Sequence, residues 1–277
     1  MEKLLNGIYE GERALFKGKN LEIENATFQN GESPLKESLN IKIKKSTFRW
    51  KYPLWYSKNI VVFDSVFEEM SRSGIWYTDN IKLENCDIIA PKEFRKSKNI
   101  EIINSNFHDA KETLWNCENI KIKDVKAKGD YLLMNSKKIY VDNLYLDGNY
   151  VFDGGEDIIV KNSILNSKDS FWNCKDVLVE NSKIIGEYIG WNSENVTFIN
   201  CEIESHQGFC YMNNVKLINC KLNNTDLAFE YSTVDATILS KVDSIKNPIS
   251  GSIKCLGYNE LILDDADLEK IKIIVGE

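Results

Sequence analysis

The side chains of this 277-residue chain with most to offer a ligand are its six Trp, four Arg and two His, and their spacing is regular. Trp55, Trp76, Arg95, Trp115, Met134, Asp153, Trp172 and Trp191 follow one another at intervals of 19 to 21 residues, so five of the six Trp share one file. Flat indole faces at such a spacing suit stacking against sugar rings. An exposed apolar file also suits a protein interface, including a homodimer closed through the Trp stripe, and packing beneath loops is a third reading of the same spacing. Only four of the 35 basic residues are Arg, and all lie within the first 95 residues: Arg13, Arg49, Arg72 and Arg95. A planar guanidinium matches carboxylate or phosphate bidentately and stacks on aromatic rings.

These two patterns together predict an edge that binds an anionic saccharide, through Arg49, Trp50, Tyr52, Trp55, Tyr56, Trp76, Tyr77 and Trp115. Groups able to move protons stand near it in sequence, namely Arg72, Arg95, Glu69, His108 and Asp109, with Glu68, Glu93 and Glu112 beside them. If the protein is an enzyme, these are its catalytic candidates for lyase or glycoside-hydrolase chemistry, in which an Arg or Lys base or a spaced carboxylate pair does the work. Surface ion pairing accounts for the same charges without any catalysis. His108 and His206 fall in loops about five repeats apart and cannot act together. Asp153-Gly-Gly-Glu156-Asp157 offers oxygens to Ca²⁺ but lacks the ligand spacing of an EF-hand loop, so no cofactor or metal is expected. Phosphate-binding loops, dinucleotide fingerprints, Ser nucleophile elbows and C-x-x-C spacings are absent.

What positions these residues is a repeat. The phrase Asn-Ile-x-Ile-x-Asn-small-x-Phe begins at Asn20, Asn40, Asn59, Asn80, Asn99, Asn119, Lys138, Asp157, Asp176, Asn195 and Asn214 and fades towards the C-terminus. Its internal period is two, the signature of strands. Leu21, Ile41, Ile60 and Ile81 head one inward column, and Ile23, Ile43, Val62 and Leu83 a second, with wet residues such as Lys42 and Lys82 between them. A turn column of Asn25, Asn85, Asn104, Asn143 and their successors follows, then a small inward residue and a large one, Phe28, Phe48 or Phe67. Leu54, Ile75, Phe94 and Leu114 mark a third inward strand, whose alternation sends the Trp file outward.

Short strands recurring every 19 to 21 residues predict an all-β, right-handed, single-stranded parallel β-helix of about 14 coils, stacked at about 4.8 Å per coil. The 30 Asn against 15 Gly and 4 Pro explain how so many turns are made, since Asn tolerates the left-handed conformation and stacked amides can bond along the axis. Cys86, Cys201 and Cys220 fall in one small column and Cys117 and Cys174 in another, as buried inert thiols do.

Gly11-Glu-Arg-Ala-Leu-Phe, Gly31-Glu-Ser-Pro-Leu-Lys and Trp50-Lys-Tyr-Pro-Leu-Trp-Tyr, with the repeat around them, resemble an uncharacterised bacterial family of β-helix proteins of unknown function within the pectin-lyase-like group. That resemblance implies the fold and carries no catalytic residue. One domain over residues 1–277 is expected, with 1–19 as an N-terminal cap and 247–277 as the last coils or a cap. A formal net charge of -7 argues against nucleic acid as a partner. No run of about 18 apolar residues suggests a membrane span, and no signal-peptide run follows Met1, which makes the cytoplasm the expected compartment.

Overall fold

The computed structural model describes residues 1–276, and it is a parallel β-solenoid of about 14 turns with no α-helix; one 3-10 turn, Glu69–Ser71, interrupts the strands. Two compact units divide it, Met1–Tyr140 and the residues from Val141 onward. No helix among the described residues is long and apolar enough to cross a membrane.

In the first unit five successive coils open with a six-residue strand, Lys19–Glu24, Leu39–Lys44, Lys58–Phe63, Asp79–Glu84 and Lys98–Ile103. These pair in parallel and in register: Leu21 lies over Ile41, Ile41 over Ile60, Ile60 over Ile81 and Ile81 over Ile100. Period-two alternation buries this column and the Ile23, Ile43, Val62 and Leu83 column beside it. The wet residues between them form short ion-pair ladders, such as Lys82 with Glu101 at 3.9 Å and Lys121 with Glu101 at 3.0 Å. Exposed pairs of this kind contribute little each. A short second strand follows, Thr27–Phe28, Thr47–Phe48 or Val66–Phe67, and its Phe rings stack along the core at centroid distances of 4.7 and 4.8 Å. At the start of the chain, Glu2–Leu5 pairs in parallel with Lys19–Glu24, Glu2 against Leu21.

The second unit repeats the plan. Ile158 lies over Val177, Val177 over Val196 and Val196 over Val215. Towards the C-terminus, Ser250–Cys255 pairs with Ile271–Val275.

Asparagine makes the corners, at two places per coil instead of the one expected. The turn column is left-handed as predicted, with φ of 53° at Asn25, 55° at Asn85 and 51° at Asn162. The Asn that opens the repeat phrase is left-handed too, with φ of 54° to 58° at Asn20, Asn40, Asn59 and Asn80. It also builds the longer amide ladder. Asn40 Nδ2 donates to Asn20 Oδ1 at 2.9 Å, Asn59 to Asn40 at 2.8 Å and Asn80 to Asn59 at 2.8 Å. Inside the corners, hydroxyls close the backbone. Ser65 Oγ accepts the Ser46 N–H at 3.1 Å and donates to the Phe63 carbonyl at 2.6 Å.

The third side of each coil is not the strand that alternation predicted. Several of its residues are left-handed, with φ of 62° at Tyr52, 56° at Tyr56, 60° at Leu114 and 53° at Asn116. Coil-to-coil hydrogen bonds survive, Leu54 N to Gly74 O at 2.8 Å and Tyr56 N to Trp76 O at 3.0 Å, so the backbone stays satisfied without pleating. The inward positions hold: Leu54, Ile75, Phe94 and Leu114 are all fully buried.

Candidate functional site

The Trp file of the first unit is half-buried, and its rings serve each other. Trp55 stacks on Trp76 with centroids 5.3 Å apart and planes 9° apart. The Arg95 guanidinium lies 4.5 Å from the Trp76 centroid and 4.8 Å from that of Trp115, so it is held between two indole faces. Among the described residues its Nε is buried without a hydrogen-bond partner, and its one ion pair, to Glu112, is long at 3.7 Å. Cation–π attraction between desolvated faces replaces those bonds. The indole N–H groups are also engaged, Trp55 with the Ser73 carbonyl, Trp76 with that of Lys92 at 3.0 Å and Trp115 with that of Tyr131 at 2.6 Å. Neither face of Trp76 is left for a ligand. Beside this stack Tyr52 lies 4.5 Å from Trp55, and Tyr56 and Tyr77 stack on each other at 4.7 Å while remaining exposed.

The other predicted residues do not gather. Arg49 binds Glu68 and Gln29, both at 3.2 Å, and Arg13 binds Glu12 at 3.3 Å. Trp50 is half-buried beneath the ammonium of Lys51, 5.4 Å away. Arg72 and Glu69 are exposed at the 3-10 turn, and neither has an ion-pair partner among the described residues. His108 is exposed and faces Asp87 at 3.2 Å, while Asp109 accepts the Lys111 N–H of its own turn at 3.1 Å. Glu93 sits inside the coil, fully buried, accepting the Gly74 N–H at 2.9 Å. The space exists because residue 74 has no side chain: a Cβ there would lie 2.6 Å from Glu93 Oε2. Burial pushes the Glu93 carboxyl well above its ordinary range, against the pull of the Gly74 and Ile75 amides. No group of three or more His, Cys, Asp or Glu side chains converges among the described residues. Asp153 accepts the Asn173 amide at 3.2 Å. The seven Cys are buried and free; burial raises Cys86 to about 11 and Cys117 to about 12.

An open aromatic pocket lies instead in the second unit. Three residues before the Trp file runs a left-handed column holding Tyr150, Asp169 and Tyr188, with φ of 61°, 53° and 54°. Left-handed φ is unusual for a bulky side chain. Here it is held by the Tyr150, Asp169 and Tyr188 N–H groups, which donate to carbonyls of the next coil at 2.8 to 2.9 Å. Ser170 Oγ braces the loop against the Ser167 carbonyl at 2.8 Å. Aspartate therefore replaces a ring between two tyrosines. Trp172 leans one way, stacked on Tyr150 at 6.2 Å, and Trp191 leans the other, 4.9 Å from Tyr211 and edge-on to Tyr188. The result is a pocket of about 350 Å³ lined by Tyr150, Asp169, Trp172, Tyr188 and Trp191. That is within the usual range of small-molecule sites, roughly 300–1,000 Å³.

Two features separate these rings from those of the first unit. The Trp172 and Trp191 indole N–H groups have no hydrogen-bond partner among the described residues. Asp169 is only 7% exposed, yet its carboxylate makes no hydrogen bond or ion pair among the described residues. Burial raises its proton affinity above the ordinary aspartate value, Glu187 and Asp153 add to the rise, and Lys168 opposes it. Lys168 is itself bound to Glu187 at 2.8 Å. A second notch, of about 360 Å³ along the Asn turns at Asn162, Asn181 and Asn200, has no aromatic wall. The pocket was readable in the sequence only as the column Tyr150, Asp169, Tyr188, which carries no meaning until the Trp side chains are seen to lean apart.

No curated protein sequence matches the chain. Among solved structures, the surface adhesin PfbA of Streptococcus pneumoniae is 11% identical, with 91% of this chain and 71% of that one covered and a TM-score of 0.41. A tailspike protein of E. coli bacteriophage HK620 in complex with a hexasaccharide is 10% identical, with 88% and 59% covered and a TM-score of 0.39. A mutant of the periplasmic alginate epimerase AlgG is 9% identical, with 92% and 77% covered and a TM-score of 0.31. Likenesses this distant bring no binding residue across. A family model described as a protein of unknown function, DUF3737, matches residues 2–275.

Proposed function

Because the chain belongs to the DUF3737 family, whose description names no activity, we propose its role from its own geometry: it binds a saccharide in the Tyr150–Trp191 pocket of the second unit. The observation that supports this is the pair of half-buried indoles that line the pocket, Trp172 and Trp191, whose N–H groups have no partner among the described residues, beside the Asp169 carboxylate, which likewise accepts no hydrogen bond from them. Apolar ring faces stack on the C–H face of a pyranose, while an indole N–H and a carboxylate exchange hydrogen bonds with its hydroxyls. The Arg side chains that suggested an anionic ligand do not line this pocket.

The test is a titration of the purified protein against a panel of neutral, acidic and basic oligosaccharides, read by tryptophan fluorescence and calorimetry. Trp172→Ala and Trp191→Ala should each weaken binding roughly 5- to 30-fold, the equivalent of about 1–2 kcal/mol. Trp55→Ala should leave affinity unchanged, because that ring is covered by Trp76. Binding untouched by either pocket variant, with both still folded by circular dichroism, would move the site elsewhere.

A further inference from the structure

The charge of the pocket carries the saccharide reading one step further, to the class of sugar. Asp169 is the charged side chain in its lining; the residue is 7% exposed and its carboxylate has no hydrogen-bond or ion-pair partner among the described residues. The charges that act on it are those of Glu187, Asp153 and Lys168, and the lysine is committed to Glu187 at 2.8 Å. The local balance is therefore negative. All four Arg of the chain lie before residue 96, in the first unit, so no guanidinium is available to receive a uronate carboxylate. The remaining walls are four aromatic rings, Tyr150, Trp172, Tyr188 and Trp191. Ring faces carry negative quadrupole charge and attract cations, most strongly where water is excluded.

Resting on the saccharide reading, we propose that the pocket selects a sugar bearing a protonated amino group, with the ammonium against Asp169 and the pyranose ring against Trp172 and Trp191. The Asp169 carboxylate opens onto the pocket with no side-chain partner among the described residues, and a ligand ammonium supplies one as a charge-assisted hydrogen bond. An acidic sugar would add a further negative charge beside Asp169, Glu187 and Asp153, with Lys168, already bound to Glu187, the one cation acting on Asp169 to oppose it. A neutral N-acetylated sugar would fill the same space and leave the carboxylate with a hydrogen bond instead of a charge.

The experiment compares glucosamine oligomers, N-acetylglucosamine oligomers of the same length and galacturonate oligomers by calorimetry at low and moderate salt. Glucosamine oligomers should bind at least tenfold tighter than the N-acetylated set, and galacturonate should bind weakest. Asp169→Asn keeps the shape and tolerates a left-handed backbone; it should bring the first two ligands to within threefold of each other while N-acetylglucosamine binding persists. Equal or tighter binding of the N-acetylated or acidic oligomers would overturn the amino-sugar assignment and leave saccharide binding standing. Absence of binding by all three sets, and by the broader panel, would remove the saccharide reading together with this one.

Discussion

At the scale of single residues, two buried carboxyls behave differently because their surroundings differ. Asp169 faces a pocket, and burial with Glu187 and Asp153 nearby raises its pKa above the ordinary 3.8. It should therefore lose its charge at a higher pH than an exposed aspartate does. Affinity for an ammonium-bearing sugar should fall as pH is lowered through that range, and the acid limb should flatten in Asp169→Asn, as measured by the dissociation constant between about pH 4 and 7. Glu93 faces the core, where burial raises its pKa well above the ordinary range even though it accepts a backbone N–H that favours the charged form. A carboxyl whose folded pKa lies above its unfolded value stabilises fully below the unfolded value and loses that contribution as pH rises through the folded one. Glu93→Gln should therefore gain stability over the native chain with rising pH above the usual 4.5, by about 2–4 °C in Tm per kcal/mol recovered. Parallel melting curves across the whole pH range would refute a raised pKa at Glu93.

At the scale of elements, the third side of the coil decides which aromatics are structural and which are free. Where Trp55, Trp76, Arg95 and Trp115 follow one another, their faces close into a continuous stack and their N–H groups bond to carbonyls. Arg95→Ala would strip one face from each of two indoles, with an expected cost of about 1–2 kcal/mol in denaturant unfolding and no change in saccharide affinity. Loss of binding in Arg95→Ala without loss of stability would return the site to the first unit. The same reasoning explains why an edge expected from spacing alone looked like a binding surface. Spacing revealed that the rings share a file, and the file does face outward from the core. It could not reveal that rings at coil spacing cover one another, since that depends on side-chain rotamers and on the left-handed backbone of the third side.

At the scale of the molecule, stability is a sum of coil-to-coil contacts, because each coil pairs only with its neighbours. Strands with a single neighbour should open first. Among the described residues Glu2–Leu5 pairs with one strand, Lys19–Glu24, and carries Leu5 at 58% exposure, and Ile271–Val275 pairs with one strand, Ser250–Cys255. Hydrogen exchange followed by mass spectrometry should find these segments least protected and strands such as Lys58–Phe63 and Lys175–Glu180, paired on both sides, most protected. Uniform protection along the chain would contradict this nearest-neighbour picture.

The repeat phrase alone specified the parallel solenoid, the two inward columns, the Asn corners and the inert Cys, because each follows from a backbone rule that acts within one coil and is copied to the next. Asn20 and Asn25 are left-handed for the same local reason, although only the second was recognised as a corner. The pocket had no such signature. Asp169 is one acidic residue in a chain of 42, and it matters only because Tyr150 and Tyr188 flank it and because Trp172 and Trp191 lean apart. Periodicity assigns a residue to a face; whether neighbouring side chains on that face close over each other or leave a gap is settled by packing in three dimensions.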